Sequence, residues 1–219
     1  MDKVNSLEIL NRALVDGDQV RAIDETNKLL ASGLTAEDIV INGLEKAMVS
    51  LSNKCTAEAF NLLEIMLVGR ACMTVLKRLF PLQNKSRKTK ATVVLASPEG
   101  DVHDLGKNIL KTVLMASGFQ VIDAGKDCPT ERMIDLALQE KALAIGVSGL
   151  ITTVIPQVRK IVPVLEEQGG RPDIRVMAGG AALKQSTAED LNVDFLAVSA
   201  FDAVPFLESI IKNKEIYHE

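Results

Sequence analysis

Residues 91–108 read Ala91-Thr-Val-Val-Leu-Ala-Ser-Pro-Glu-Gly-Asp-Val-His-Asp-Leu-Gly-Lys-Asn108, and this stretch decides the fold of the chain's second half. The apolar run at 91–96 predicts a buried strand. The loop after it carries His103, with Asp101 two residues before and Gly106 three residues after. An imidazole can bind a metal through one ring nitrogen while the other donates to a carboxylate. The loop therefore suggests a ligand site, although this short motif by itself favours a surface loop whose histidine caps the next helix.

From residue 91 onward, short apolar runs alternate with helical patterns. This alternation predicts a parallel sheet with right-handed crossover helices. The expected fold is a flavodoxin-like (Rossmann-like) α/β domain with a five-stranded parallel sheet in the order 2-1-3-4-5. The predicted strands lie at 91–96, 119–122, 142–147, 174–177 and 195–198, with helices starting near Gly106, Thr130, Val154, Leu183 and Asp202.

Three unusual loops are expected at one edge of this sheet. The first holds His103, the loop after strand three reads Ser148-Gly-Leu-Ile-Thr-Thr153, and the loop after strand four contains Gly179-Gly180. In doubly wound sheets, ligands bind outside the carboxyl ends of the strands, at the switch point between strands one and three. The three loops together predict a binding crevice there.

The first 84 residues have a helical period throughout, which predicts an up-and-down four-helix bundle. Gly17 and Gly33 stand where helix C-termini favour a left-handed residue, and Thr35-x-x-Asp38 has the form of a capping box. The fourth pattern runs from about Thr56 to Phe80. The expected domains are a helical cap at 1–84, a basic linker at 85–90 and an α/β domain at 91–219.

Composition excludes several function classes. The net charge of −4 gives no electrostatic reason to expect nucleic acid, and 3% aromatic residues argue against base stacking. No apolar run is long enough to cross a bilayer, and the N-terminus lacks a signal-peptide pattern. The three cysteines form no Cys-x-x-Cys pair, which disfavours a disulfide scaffold or a thiolate zinc site. These features together predict a cytoplasmic protein.

The set Asp101-x-His103-x-x-Gly106, Ser148-x-Leu150 and Gly179-Gly180 resembles the cobalamin-binding module of methionine synthase, base-off mutases and corrinoid carrier proteins. The preceding helical half, with Asp16-Gly-Asp18 and Gly43-Leu-Glu45, looks like the bundle that caps the corrin in methyltransferases. The resemblance covers nearly the whole chain.

This resemblance implies that His103 replaces the cofactor's own dimethylbenzimidazole as the lower ligand to cobalt. Asp101 would then accept from the other ring nitrogen. The displaced nucleotide tail would pass Gly106 and enter the crevice, with Gly179 and Gly180 near its base. The implied cofactor-binding residues are Asp101, Val102, His103, Asp104, Gly106, Ser148, Leu150, Thr152, Gly179, Gly180, Phe60 and Leu63, and His103 is the metal ligand.

The chain departs from the family pattern at two positions. Where many relatives have a hydroxyl residue six positions after the motif serine, this chain has Val154. The hydrogen-bond chain of the Asp101–His103 pair is therefore expected either to be shorter or to be extended by Thr152 or Thr153. The last bundle helix opens as Phe60-Asn-Leu-Leu-Glu64, with a leucine at the usual proline position. Phe60 and Leu63 are nevertheless expected to cover the upper corrin face.

A cofactor module with only its cap suggests a corrinoid methyl carrier that is not catalytic by itself. The expected partners are a substrate methyltransferase of the O-demethylase, methylamine or methanol type, an acceptor methyltransferase linked to tetrahydrofolate or a thiol, and a reductive activase. The alternatives are a cobalamin-dependent regulator, although no helix-turn-helix pattern is seen, and a mutase small subunit. A flavodoxin-like response domain would need more clustered acids than Asp101 and Asp104.

Overall fold

The structure is a computed structural model that describes residues 3–47, 50, 62–81, 89–171 and 173–216. It contains two compact units, Met1–Gln83 and Asn84–Glu219. Among the described residues, no helix is both long and apolar enough to cross a membrane.

The first unit is helical. Its described elements are α1 (Lys3–Val15), α2 (Gln19–Ala31), α3 (Ala36–Ile39, continued by a π-helical segment at Val40–Glu45) and α4 (Leu62–Leu79). The capping box of Thr35 and Asp38 at the start of α3 is confirmed. Gly17 has φ +71°, and an added Cβ there would lie 2.6 Å from the Leu67 Cβ. The turn between α1 and α2 therefore needs glycine both for its backbone angle and for its approach to α4.

The second unit is built on a parallel sheet in the order β2-β1-β3-β4-β5, which confirms the predicted fold class. Among the described residues of this unit, five strands and four α-helices alternate except between the last two strands. The bounds are β1 (Thr92–Pro98), α5 (Leu105–Ala116), β2 (Gln120–Cys128), α6 (Thr130–Gln139), β3 (Ala144–Ser148), α7 (Ile155–Glu167), β4 (Arg175–Gly179), β5 (Phe195–Ala197) and α8 (Ala203–Ile216).

Side-chain alternation along the buried strands gives the sheet two apolar faces. On β1, Val94 and Ala96 pack with α6 and α7, whereas Val93 and Leu95 pack with α5 and α8. These four side chains are fully buried. The sheet is therefore the middle layer of a three-layer unit, and its carboxyl edge is where loops can form a site.

Two sequence predictions for this unit were wrong. β2 was expected to end at Ile122 but continues to Cys128, because an edge strand can carry the polar residues that suggested a loop. The helix expected near Leu183 is only a 3-10 turn at Ala181–Leu183. Farther along this connection, the Thr187 hydroxyl accepts from the Asp190 amide while the Asp190 carboxylate accepts from the Thr187 amide. This is the reciprocal pattern of a capping box, but the turn that it opens ends at Asn192, whose φ of +54° is left-handed.

Asp194 directly precedes β5, and its side chain binds Arg171 and Val176, which lie before and at the start of β4. Its carboxylate accepts two bonds from the Arg171 guanidinium, at 2.7 and 3.1 Å, and one from the Val176 amide at 2.7 Å. Burial alone would raise the pKa of Asp194, but these hydrogen bonds and the positive charges of Arg171 and Arg175 outweigh it and lower the pKa. The folded state therefore favours the ionised form.

We expect Asp194→Asn to lower the free energy of unfolding by about 2 kcal/mol at neutral pH, because it removes a hydrogen-bonded, partly buried charge. A lowered folded-state pKa gives stability that is full above the unfolded pKa and is lost as pH falls through the folded value. The difference between the wild-type protein and the variant should therefore shrink on acidification. Urea unfolding at neutral pH and at about pH 3 measures it. Glu189→Gln, at a nearby exposed acid, is the control, and an equal loss in both variants would contradict the prediction.

Candidate functional site

The His103 loop joins β1 to α5 and is organised around a buried carboxylate. Asp101 is fully buried, whereas the His103 side chain is 49% exposed. One Asp101 oxygen, Oδ1, lies 2.8 Å from His103 Nδ1 and also accepts from the His103 amide at 3.0 Å. Because an ionised carboxylate can only accept, this contact favours the tautomer that carries the proton at Nδ1. The Nε2 atom of a half-exposed ring therefore keeps its lone pair for a ligand.

The second Asp101 oxygen ties this loop to the neighbouring loop. Oδ2 accepts from the Leu150 amide at 2.7 Å. Leu150 follows the end of β3, and β3 pairs directly with β1. The two loops predicted to flank the crevice are thus joined by a single buried carboxylate, at the switch point of the sheet.

The glycines of the site permit close approach between its loops. An added Cβ at Gly106 would lie 2.8 Å from Ser148 Oγ, so α5 begins directly beside the end of β3. Gly180 has φ +111°, and an added Cβ there would overlap the Gly149 carbonyl oxygen and lie 3.0 Å from the Gly149 nitrogen. Gly149 also donates to the Gly179 carbonyl oxygen at 3.0 Å. The glycine pair therefore supports the loop that carries Leu150.

Of the two alternatives for the Asp101–His103 pair, the structure agrees with the shorter hydrogen-bond chain and not with an extension by a threonine hydroxyl. Thr152 and Thr153 are exposed in the 3-10 turn Thr152–Val154, and in the described part of the chain the third partner of the pair is the Leu150 amide. Val154 is buried and packs near Gly149. A Cβ added at Gly149 would lie 3.2 Å from a methyl carbon of Val154. A backbone amide needs no particular side chain, so valine is tolerated at that position.

Three other predicted site residues lie beside His103 in the sequence or at the start of a helix. Val102 is 59% exposed beside His103, and Asp104 is the residue that precedes α5. Leu63 lies in the first turn of α4 and is 64% exposed. Phe60 lies outside the described residues.

Sequence reasoning missed three residues that hold the loop. Buried Ser97 donates to the His103 carbonyl oxygen at 2.6 Å. Asp127, at the end of β2, accepts from the Gly100 amide at 2.8 Å, and its own amide donates to the Asp101 carbonyl oxygen at 2.8 Å. The only signal for Asp127 was its place in a Gly-Lys-Asp-Cys-Pro segment rich in turn-forming residues.

The third missed residue is Lys107, which is buried in the first turn of α5 and forms an ion pair with Asp123 of β2. Burial would raise the pKa of Asp123, but hydrogen bonds from Lys107, Lys111 and the Gly125 amide lower it. This pair holds the helix that follows the His103 loop against the edge strand.

The donor set of the site is a single imidazole. Across the described residues, no group of three or more His, Cys, Asp or Glu side chains could hold a metal ion. In the first unit, burial raises the pKa of the Cys72 thiol to about 12, so the free thiol is protonated at neutral pH. A metal at His103 would therefore have to bring most of its ligands with it, as a cofactor does.

Comparisons with known proteins agree with this chemistry. Residues 91–204 match the B12 binding domain family, and residues 7–79 match a second family with the same description. The chain is 39% identical over 134 residues to dimethylamine corrinoid protein 1 of Methanosarcina acetivorans, a match that covers 61% of this chain and 62% of that protein. It is 32% identical over 209 residues to the dimethylamine corrinoid protein of Methanosarcina barkeri, covering 93% and 96% of the two chains.

Solved structures show the same relationship. The structure of the Methanosarcina barkeri monomethylamine corrinoid protein matches with a TM-score of 0.77 at 29% identity, over 91% of this chain and 96% of that one. A chain of the methanol:cobalamin methyltransferase complex from the same organism matches with a TM-score of 0.54 at 25% identity, over 95% and 80%. One B12 binding domain match alone spans more than half of the sequence. This chain therefore belongs to the B12-binding corrinoid proteins, and its cofactor is a cobalamin or related corrinoid.

Proposed function

We propose that this chain is the methyl carrier of a methyltransferase system, and that it binds its corrinoid with His103 as the lower axial ligand and the cofactor's own base displaced. The observation that carries the proposal is the half-exposed His103 ring, whose Nδ1 is held by buried Asp101 at 2.8 Å. When bound, the corrinoid supplies the cobalt centre that accepts and releases the methyl group.

The residues present fit such a cofactor. A metal that arrives with four ring nitrogens needs one further ligand from the protein, and His103 Nε2 is available for it. A carboxylate on the remote ring nitrogen fixes the tautomer and makes the imidazole a better donor. An added Cβ at Gly106, Gly179 or Gly180 would come within 3.3 Å of a neighbouring protein atom, so these glycines keep the loops of the site close together.

The protein's contribution is to bind and orient. Asp101 holds the ring and its proton at Nδ1, and Leu150 holds Asp101 from the other side. Ser148, Leu150 and Thr152 are proposed to line the tail, with Gly179 and Gly180 near its base. The roles of residues 1–84 as a cap, of 85–90 as a hinge, and of Phe60 and Leu63 as cap residues stay predictions.

A methylated amine is the proposed methyl source, because the relatives named above are dimethylamine and monomethylamine corrinoid proteins. One chain of the methanol:cobalamin methyltransferase complex is also similar to this chain. A substrate methyltransferase is therefore the proposed donor partner, and an acceptor methyltransferase and a reductive activase complete the proposed system.

Methyl transfer to the loaded protein tests this function. The chain is loaded with hydroxocobalamin, reduced, and mixed with methylamine-specific and methanol-specific methyltransferases and their isotopically labelled substrates. We expect label to appear on the corrinoid protein with at least one methylamine methyltransferase. His218→Gln, which removes the other histidine, is the matched control and should accept label as the wild-type protein does. Tight corrinoid binding without methyl acceptance from any partner would refute the carrier function.

A further inference from the structure

The end of β2 departs twice from regular pairing with β1. Leu95 pairs with Asp123, Ala96 with Gly125 and Pro98 with Cys128. Between each of these pairs and the next, β2 therefore contains one residue more than β1. Irregularities of this kind bend a strand and redirect its side chains, and they are frequent beside functional sites. Here they bring Asp127 opposite the loop that leaves β1.

Asp127 holds that loop through both its backbone and its side chain. Its amide donates to the Asp101 carbonyl oxygen, and its Oδ1 accepts from the Gly100 amide, both at 2.8 Å. Asp127 itself has φ +49°, in the left-handed region that costs a residue other than glycine free energy, although aspartate tolerates it better than most. The two bonds offset that cost.

The two loop residues held by Asp127 determine where the Asp101 carboxylate lies. Gly100 has φ +90°, and Asp101 donates its amide to the Pro98 carbonyl oxygen at 2.9 Å. With Asp127 in place, the Asp101 backbone is fixed at its amide and at its carbonyl. Its side chain can then reach His103 Nδ1 and the Leu150 amide at the same time.

We propose that Asp127 is a positioning residue for His103: by fixing Gly100 and Asp101 it sets the orientation and the tautomer of the imidazole before cofactor binds. Its relevance to cobalt rests on the proposed ligation by His103. The positioning itself concerns only the protein. The competing explanation is that Asp127 merely closes the end of β2.

Three substitutions separate the contributions of Asp127. Asp127→Asn keeps a side-chain oxygen and a residue that tolerates positive φ. Asp127→Gly keeps the backbone angle and the amide donor but removes the side-chain acceptor. Asp127→Ala removes the acceptor and also disfavours the backbone angle.

The readout is the tautomer of His103 in the cofactor-free protein, measured by nitrogen-15 NMR of the ring at about pH 8.5, where imidazoles are mostly neutral. The sequence has two histidines, so a His218→Gln background leaves one ring to observe. We expect the Nδ1–H form to predominate in the wild-type protein and in Asp127→Asn. The ratio of the Nδ1–H form to the Nε2–H form should fall about tenfold in Asp127→Gly, the effect of one lost hydrogen bond of ordinary strength, and at least as far in Asp127→Ala.

Unchanged tautomers in the glycine and alanine variants would overturn the proposal, whether or not thermal stability falls. If a variant fails to fold, hydrogen exchange of the wild-type protein decides: the Gly100 and Asp127 amides should be protected as well as the Leu150 amide, and rapid exchange would overturn the proposal. A wild-type protein that shows the Nδ1–H tautomer, but no histidine-ligated spectrum with cobalamin, would refute ligation by His103 and leave the positioning role supported.

Discussion

Replacing His103 with alanine is expected to abolish the base-off, histidine-ligated absorption spectrum of the protein loaded with hydroxocobalamin. In the part of the chain that the structure describes, no other histidine, and no cluster of metal-binding side chains, is present to take over. We also expect the affinity for the corrinoid to fall by at least about tenfold, since even the loss of a residue that only supports a metal ligand commonly costs 10- to 100-fold.

The matched control is His218→Gln, which should keep the wild-type spectrum. Asp101→Asn gives an intermediate case, because it retains a ring at position 103 but places an amide where a carboxylate accepts from both His103 and Leu150. Its spectrum should still show histidine ligation, with weaker binding by about 10- to 100-fold. An unchanged spectrum in His103→Ala would rule out His103 as the lower ligand.

The second large effect is expected for Gly180→Ala. The added Cβ would overlap the Gly149 carbonyl oxygen, and φ +111° is a backbone angle that alanine rarely adopts. Backbone atoms cannot rotate away as a side chain can, so the strand end or the Gly149 loop must shift. We expect the free energy of unfolding to fall by about 4 kcal/mol, from combined backbone strain and overpacking.

Gly169→Ala is the control that separates the two causes. Gly169 also has positive φ, at +72°, but an added Cβ there meets nothing within 4 Å. That variant should lose only about 1 kcal/mol, the cost of left-handed backbone alone. Chemical denaturation of the two variants measures the difference. Corrinoid affinity should fall only in Gly180→Ala, because Gly149 precedes Leu150, and equal stability losses would contradict the proposed clash.

The order of the strands and the place of the site were predictable because they depend on local patterns and one topological rule. Apolar runs gave the five strands, and the switch point between β1 and β3 selected the His103 and Ser148 loops. The Asp101–His103 contact was also predictable, since the two residues stand close together in one loop and the resemblance to the cobalamin-binding module implies the contact. The Leu150 amide was predicted to lie nearby, but not as the partner of Asp101.

Two of the residues were missed for a common physical reason. Asp127 and Lys107 act through contacts with segments distant in sequence, and the irregular pairing that places Asp127 arises only when β2 lies beside β1. A helix was expected near Leu183 from its local pattern, but the chain forms only a 3-10 turn at Ala181–Leu183 and a second turn that ends at Asn192, whose φ is +54°.

The sequence by itself therefore determined the fold class, the switch-point loops and the histidine with its carboxylate, because periodicity and short spacings carry that information. Only the tertiary structure decided what holds Asp101 in place: the Leu150 amide at its carboxylate and Asp127 at the backbone of residues 100 and 101. Both contacts join residues more than 25 positions apart. Such contacts depend on strand register and on the twist and irregularity of the sheet, which a linear pattern of residue types does not specify.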